Sequence, residues 1–321
     1  MEPALRLQGV RKTFGAATAL HGLDLEVPAG ALYGVIGPNG AGKTTTIRLI
    51  MSILFPDAGE IAVLGRRSAL EAKDRIGYLP EERGVYRKMH VGSFLAYMGH
   101  LKGLTGDLAP HVRRSLERVG LAGAEQKRCE ELSKGMLQKV QFLAAIIHQP
   151  DLLILDEPFS GLDPVSARLL RDLVGEEHRR GATILLSTHV MTQAEEMCDR
   201  VVMIHRGRKV LDDYISAIRR RHDPRTLEFE PLDPSADLAP LRALADVERI
   251  EPAASGVDIH LASGSDPGAA IRRITAAVTP ARIELARPRL EDIFIRLVSE
   301  GSAPAPALLA SLQDGNGGVP A

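Results

Sequence analysis

The segment Gly37-Pro38-Asn39-Gly40-Ala41-Gly42-Lys43-Thr44 constrains this chain more than any other stretch. It has the spacing G-x-x-x-x-G-K-T and lies between an apolar run, Ala31 to Ile36, and a stretch of helical periodicity, Thr44 to Met51. A strand that feeds a glycine-rich turn and then a helix is the setting in which that spacing cradles phosphate. Glycines at 37, 40 and 42 let the backbone curl so that successive N–H groups face inward, and the helix N-terminus adds partial positive charge. Lys43 is expected to bridge β- and γ-phosphates. The Thr44 hydroxyl is expected to bind Mg²⁺, with Thr45 close enough to assist. An unrelated glycine turn would not explain the flanking strand and helix.

A second stretch completes this chemistry. Leu152 to Leu155 is a continuous apolar run followed by Asp156 and Glu157, a pattern that suits a buried parallel strand. Such a strand delivers its last residues to the sheet edge beside the cradle. Asp156 would hold Mg²⁺, directly or through water. Glu157 would orient and deprotonate the attacking water, a role worth about 10²–10⁴ in rate. The competing reading of Asp-Glu-Pro is a helix N-cap after a strand, and its spacing from the other motifs argues against it.

The rest of the first 215 or so residues reads as one α/β domain. Strands are expected at Leu5 to Val10, Leu23 to Val27, Gly59 to Leu64, Ile76 to Leu79 and Thr183 to Leu186. Val201 to Ile204 and Lys209 to Leu211 flank a hairpin turn at His205 to Arg208. Val91 to Val119 is helical with breaks at Gly103 and Gly106. A further helix runs from Ser133 to His148, where Pro150 stops it. The composition then shifts, with turn-rich His222-Asp223-Pro224 and Pro231 to Pro234.

Beyond that turn the order is strand Leu227 to Phe229, helix Leu238 to Leu244, strands Val247 to Ile250 and Val257 to Leu261, helix Pro267 to Val278 and strand Ala281 to Leu285. That is the β-α-β-β-α-β sequence of a ferredoxin-like domain, and a helix, Leu290 to Val298, follows. The expected organisation is a nucleotide-binding domain over 1–221 with a helical subdomain at about 86–150, an α+β accessory domain over 222–299, and a disordered tail over 300–321.

Composition narrows the partners. A net charge of −1 gives no overall field to hold nucleic acid or a membrane surface. The run Arg219-Arg220-Arg221-His222 is read as a solvated helix face, with an anionic-lipid or RNA contact as the alternative. Cys129 and Cys198 have no metal-ligand or CxxC spacing and are expected as reduced thiols. No apolar run approaches the ~18 residues of a membrane crossing. Met1 to Arg6 lacks a secretory pattern. A pore, if one is served, must come from another chain.

Leu132-Ser133-Lys134-Gly135-Met136 resembles the signature segment of ATP-binding cassette (ABC) ATPases. Together with the cradle, Asp156-Glu157, Ser160-Gly161-Leu162-Asp163 and Ser187-Thr188-His189, the resemblance covers residues 1 to about 215. It implies a P-loop ABC cassette with a mixed sheet and a helical subdomain. Two such cassettes would stack head to tail with two ATPs between them. On this reading Ser133 and Gly135, at the start of a helix, approach the γ-phosphate held by the partner's Lys43 site. Asp163 crosses the dimer interface, and His189 contacts the γ-phosphate and holds Glu157 and water in line. Phe14 stacks on adenine, against the alternative of a core aromatic.

Ile76-Gly77-Tyr78-Leu79-Pro80-Glu81-Glu82-Arg83-Gly84 and the appended domain look like bacterial exporter-type subunits, whose permease is a separate integral-membrane chain. The expected location is therefore cytoplasmic, on the inner face of the cell membrane. Val85, Tyr86, Phe94 and Tyr97 are candidate permease contacts or core residues. A homodimer is expected, and a heterodimer remains open.

Two departures from the family pattern matter. Glu81 replaces the usual Gln and either binds the metal or faces a basic permease residue. Lys134 and Met136 replace Gly and Gln, and Lys134 either adds charge near the γ-phosphate or faces solvent. The rival classes are a soluble mechanical ABC ATPase acting on nucleic acid or the ribosome, and a P-loop kinase or GTPase. The first usually has paired cassettes or a coiled coil, which are absent here. The second lacks the Ser133 segment, and no Asn-Lys-x-Asp guanine sequence is present.

Overall fold

A computed structural model describes residues 2–82, 84–221, 225–253, 255–286 and 289–301. Arg83, the turn at His222 to Pro224 and nearly all of the expected tail lie outside the described residues. The chain divides into two units. One comprises Met1–Ile215 and the stretch that starts at Phe294, the other Ser216–Ile293.

The first unit opens with antiparallel strands β1 (Leu5–Phe14) and β2 (Ala17–Val27). Then come β3 (Leu32–Ile36), α1 (Lys43–Ile50), β4 (Ala58–Val63) and β5 (Ile76–Leu79). Helices α2 (Val91–Leu101), α3 (Ala109–Arg118) and α4 (Lys134–Ile146) pack on one another and precede β6 (Leu152–Asp156). Next are α5 (Pro164–Arg179), β7 (Thr183–Thr188), α6 (Met191–Met197), β8 (Arg200–His205) and β9 (Arg208–Tyr214).

Strands β2-β1-β4 form an antiparallel sheet, and β5-β6-β7-β3-β8-β9 a mixed one in which only β9 runs antiparallel. Strands β3, β6 and β7 are buried at every residue, which is why they read as unbroken apolar runs. Leu5, Leu7 and Leu25 of the first sheet share a core with Val35, Ile154 and Leu185 of the second and Ile47 and Ile50 of α1. Each apolar side chain so buried contributes about 1.5–3 kcal/mol.

Helix α5 was not evident from periodicity. Its start is set by Asp163, whose side chain caps it, and by Pro164 in its first turn. Helix α4 ends before Gln149, in a left-handed conformation, and Pro150.

The second unit contains α7 (Ile215–Arg221, entering from the first), β10 (Thr226–Pro231), α8 (Ala239–Arg242), β11 (Val247–Ala253), β12 (Gly256–Leu261), α9 (Pro267–Ala277) and β13 (Pro280–Leu285). Helix α10 (Leu290–Gly301) follows. The sheet order is β11-β12-β10-β13, antiparallel throughout, over a core of Leu227, Phe229, Ile259, Leu241 and Ile274. Helix α8 is a single turn, shorter than the expected Leu238 to Leu244. The Val247 N–H bonds the Leu244 carbonyl at 3.0 Å and turns the chain into β11. On α7, Arg219 is half-buried and Arg220 exposed.

Candidate functional site

Strands β3, β5, β6 and β7 are parallel neighbours, so their C-terminal ends share one edge of the mixed sheet. That edge receives Gly37 to Thr45 after β3, Glu81 beyond β5, Asp156 and Glu157 from β6, and His189 after β7. Residues more than a hundred positions apart thus meet at the place where open α/β sheets bind ligands.

The cradle is a backbone feature. Gly37 has φ +150°, and a Cβ there would sit 2.1 Å from the Ile204 carbonyl oxygen. No other residue fits that approach. Gly42 has φ +109° at the entry to α1. Pro38 and Ala41 are buried, while Asn39 and Gly40 are exposed at the rim, as an open anion nest requires. The buried Lys43 Nζ donates to the Gly37 and Pro38 carbonyls at 2.8 and 3.1 Å and lies 3.9 Å from Glu157 Oε1. Burial lowers its pKa, while Glu157, Asp156 and Glu81 oppose that shift. Thr44 and Thr45 are half-buried on the first turn of α1.

Asp156 is buried. Its Oδ1 accepts from the Ser187 hydroxyl, and its Oδ2 is buried with no hydrogen-bond partner among the described residues. Burial raises its pKa, against the hydrogen bond from Ser187, and the nearby charges of Glu81 and Glu157 raise it further. An orphaned carboxylate oxygen at a phosphate cradle fits a hard divalent cation, which takes oxygen ligands.

Glu157 adopts a left-handed backbone, φ +48°, a conformation that costs about 1–3 kcal/mol when a non-glycine residue holds it. Its N–H donates to the Ser187 carbonyl at 3.1 Å, and its Oε1 lies 2.8 Å from His189 Nδ1. That hydrogen bond is the main cause that raises the His189 pKa, against desolvation. A carboxylate held by imidazole beside a buried ammonium is a poised proton acceptor.

Glu81 is exposed. Its charge bears on Lys43, Asp156 and His189 through space, while its neighbour Glu82 pairs with Arg48 at 3.2 Å. Phe14 ends β1 and is 48% exposed, with Lys12 Nζ 5.6 Å from its ring centroid. The core-aromatic alternative therefore does not hold.

The signature residues sit apart from these contacts. Ser133 is the exposed N-cap of α4, its Oγ accepting from the Met136 N–H at 3.3 Å. Lys134 is also exposed. Asp163 caps α5, accepting from the Val165 and Ser166 N–H groups at 3.0 and 2.9 Å, and those bonds hold its pKa low. A Cβ on Gly135 would reach Ser166 Oγ at 3.5 Å, ordinary contact, so no described residue demands glycine there.

Phe94 is buried and is core rather than a permease contact, because it lies on the face of α2 turned to the other helices. Tyr86, 55% exposed, and Tyr97, 40% exposed, meet edge to face at 5.7 Å. Val85 is half-buried. Sequence reasoning assigned no role to Ser187 or to Gln138, whose buried amide donates to the Pro158 carbonyl. The hydroxyl pair Ser187-Thr188 that follows the apolar run Ile184 to Leu186 of β7 was the available signal for Ser187.

A mixed sheet with this cradle, an acidic strand end and a histidine at the next strand defines a P-loop ATPase cassette. The family model described as ABC transporter matches residues 20–160, and one described as the C-terminal domain of DrrA1-3-like ATP-binding proteins matches 214–298. The uncharacterized ABC transporter ATP-binding protein YhaQ of Bacillus subtilis is 38% identical over 295 residues, 92% of this chain and 98% of that one. The Nod factor export ATP-binding protein I of Paraburkholderia xenovorans is 34% identical over 308 residues, covering 92% and 97%. A solved ATP-binding subunit of an ABC transporter superposes with TM-score 0.63 at 32% identity, over 68% of this chain and 93% of that one. The chain belongs to the ATP-binding proteins of ABC transporters. It binds and hydrolyses ATP, the activity by which this family powers transport.

No helix among the described residues is long and apolar enough to cross a membrane.

Proposed function

We propose that this protein is the ATPase subunit of an exporter, energising a separate integral-membrane permease from the cytoplasmic face. The observation that carries the reading is the division of its polar groups. Lys43, Asp156, Glu157 and His189 converge on one sheet edge, whereas Ser133, Gly135 and Asp163 contact only α4 and α5 in the contacts described above. The signature N-terminus is thus free to serve a cradle on another cassette, and a second copy of this chain is the simplest source.

In that dimer, incoming phosphates take the Lys43 ammonium from the Gly37 and Pro38 carbonyls. Asp156 Oδ2 and the Thr44 hydroxyl would hold Mg²⁺, which supplies charge neutralisation to the phosphate oxygens. Glu157 Oε1 accepts the proton of the attacking water. His189 Nδ1 keeps that carboxylate aimed. The water oxygen bonds the γ-phosphorus as the bond to the β-phosphate oxygen breaks. Lys43 and the partner's Ser133 hydroxyl and helix N-terminus stabilise the charge.

Phe14 stacks on adenine, Glu81 tunes the site by its charge, and Val85, Tyr86 and Tyr97 form the permease-facing patch. The accessory domain, taken as 222–299, strengthens the dimer. Export is supported by the relative named for Nod factor export. That relative and the ABC transporter model favour transport over action on nucleic acid.

The test is Glu157→Gln with ATP and Mg²⁺. The expected result is a stable dimer by size exclusion, with hydrolysis reduced by about 10²–10⁴. A monomer at saturating ATP, with permease present and absent, would refute the reading.

A further inference from the structure

We propose that Gln138 is a positioning residue that ties the signature helix to the proton-accepting turn, through the Pro158 carbonyl. The proposal rests on the roles just given to Ser133 and Glu157.

Gln138 lies on α4 and is 4% exposed, and its Nε2 donates to the Pro158 oxygen at 3.0 Å. A buried primary amide is costly unless paired, so this bond fixes both partners. Pro158 follows Glu157, whose left-handed φ of +48° persists only if its surroundings over-determine it. Three bonds do so. The Glu157 N–H donates to Ser187 of β7 at 3.1 Å, and the Ser160 N–H closes the turn on the Glu157 carbonyl at 3.2 Å. The third is Gln138, the one that comes from α4.

Ser133, the N-cap of that same helix, is the residue assigned to the partner's nucleotide. Gln138 is five positions on, about one and a half turns at 3.6 residues per turn. An α-helix moves as a stiff rod over so short a distance. Seating Ser133 on the opposite nucleotide therefore sets the Pro158 carbonyl, and with it the Glu157 carboxylate of the same chain's own site. Chemistry in one site is thereby conditional on occupancy of the other, through a physical contact rather than proximity.

Gln138→Met keeps the side-chain volume and removes the donor. In the full-length chain, kcat is expected to fall by about tenfold to hundredfold, the usual cost of misplacing a reacting group. Affinity for a fluorescent ATP analogue should change by less than about twofold, since the cradle does not involve Gln138. Gln138→Met combined with Glu157→Gln should still form the ATP-held dimer. A kcat within about twofold of native overturns the proposal. So does a parallel loss of nucleotide binding, which would mark Gln138 as packing alone. Gln138→Glu, of the same size and without a donor when ionised, gives the same test if the methionine variant melts far below native. Native turnover in Glu157→Gln alone would instead sink the underlying role of Glu157, and is read separately.

Discussion

The cradle edge and the signature surface are built in opposite ways. At the cradle edge, Lys43, Asp156 and Glu157 are buried and bonded within the fold: Lys43 to two backbone carbonyls, Asp156 to Ser187, Glu157 to His189. At the signature surface, Ser133 and Asp163 are exposed and accept from N–H groups of the helices they cap. A buried polar group must find partners within the fold. An exposed cap is satisfied locally and keeps the rest of its capacity for something outside. On the dimer proposed above, the first surface holds its own nucleotide and the second is offered to the facing cassette.

That contrast breaks first, and most visibly, at Ser133. Ser133→Ala is expected to lower kcat by about 10²–10³, as removal of a single transition-state donor does, while leaving nucleotide affinity of the isolated chain unchanged. Weakened binding in the isolated chain would place Ser133 at its own cradle and end the distinction. The same substitution removes the α4 cap, so a thermal melt must accompany it, with about 1 kcal/mol lost.

A smaller effect is expected at the cradle edge. Ser187→Ala frees Asp156 to turn. Nucleotide binding should then need about tenfold more Mg²⁺, within the 10- to 100-fold range for residues that orient a metal ligand, with Mg²⁺-free binding unaltered. An unchanged Mg²⁺ requirement, followed by fluorescence of bound nucleotide, would show that Ser187 only fills space.

The smallest effect is a titration. His189 is raised from its ordinary value chiefly by its hydrogen bond to Glu157. The stabilisation from that pair is present below the unfolded imidazole value of 6.5 and is lost as pH rises through the higher folded value. Glu157→Gln should move the His189 midpoint downward in an NMR titration and shrink the stability difference between acidic and alkaline buffer. A midpoint that stays in place would mean that Glu157 does not hold the ring.

Some of this was legible in the chain because the chemistry is local. The cradle is contiguous, Asp156 and Glu157 end one unbroken apolar strand, and the break between α2 and α3 falls at Gly103 and Gly106. The longer extents of β1 and β2 were missed because their outer halves alternate with polar residues and bulges. Phe94 could not be told from Tyr97 by pattern, since both are aromatic residues on one helix, and only packing put the first inside.

The order of residues alone pointed to a nucleotide phosphate and to a carboxylate beside it that accepts the proton of an attacking water. Glycine spacing and an apolar strand are properties of adjacent residues, which the backbone converts directly into geometry. Only the tertiary structure decided which oxygen of Asp156 is left free, that Glu157 is bent into a left-handed turn, and that Ser187 and Gln138 hold that corner in place. Those bonds join residues 31 and 20 positions apart. They exist because parallel strands and a buried helix bring distant polar groups into a space without water, where each must pair.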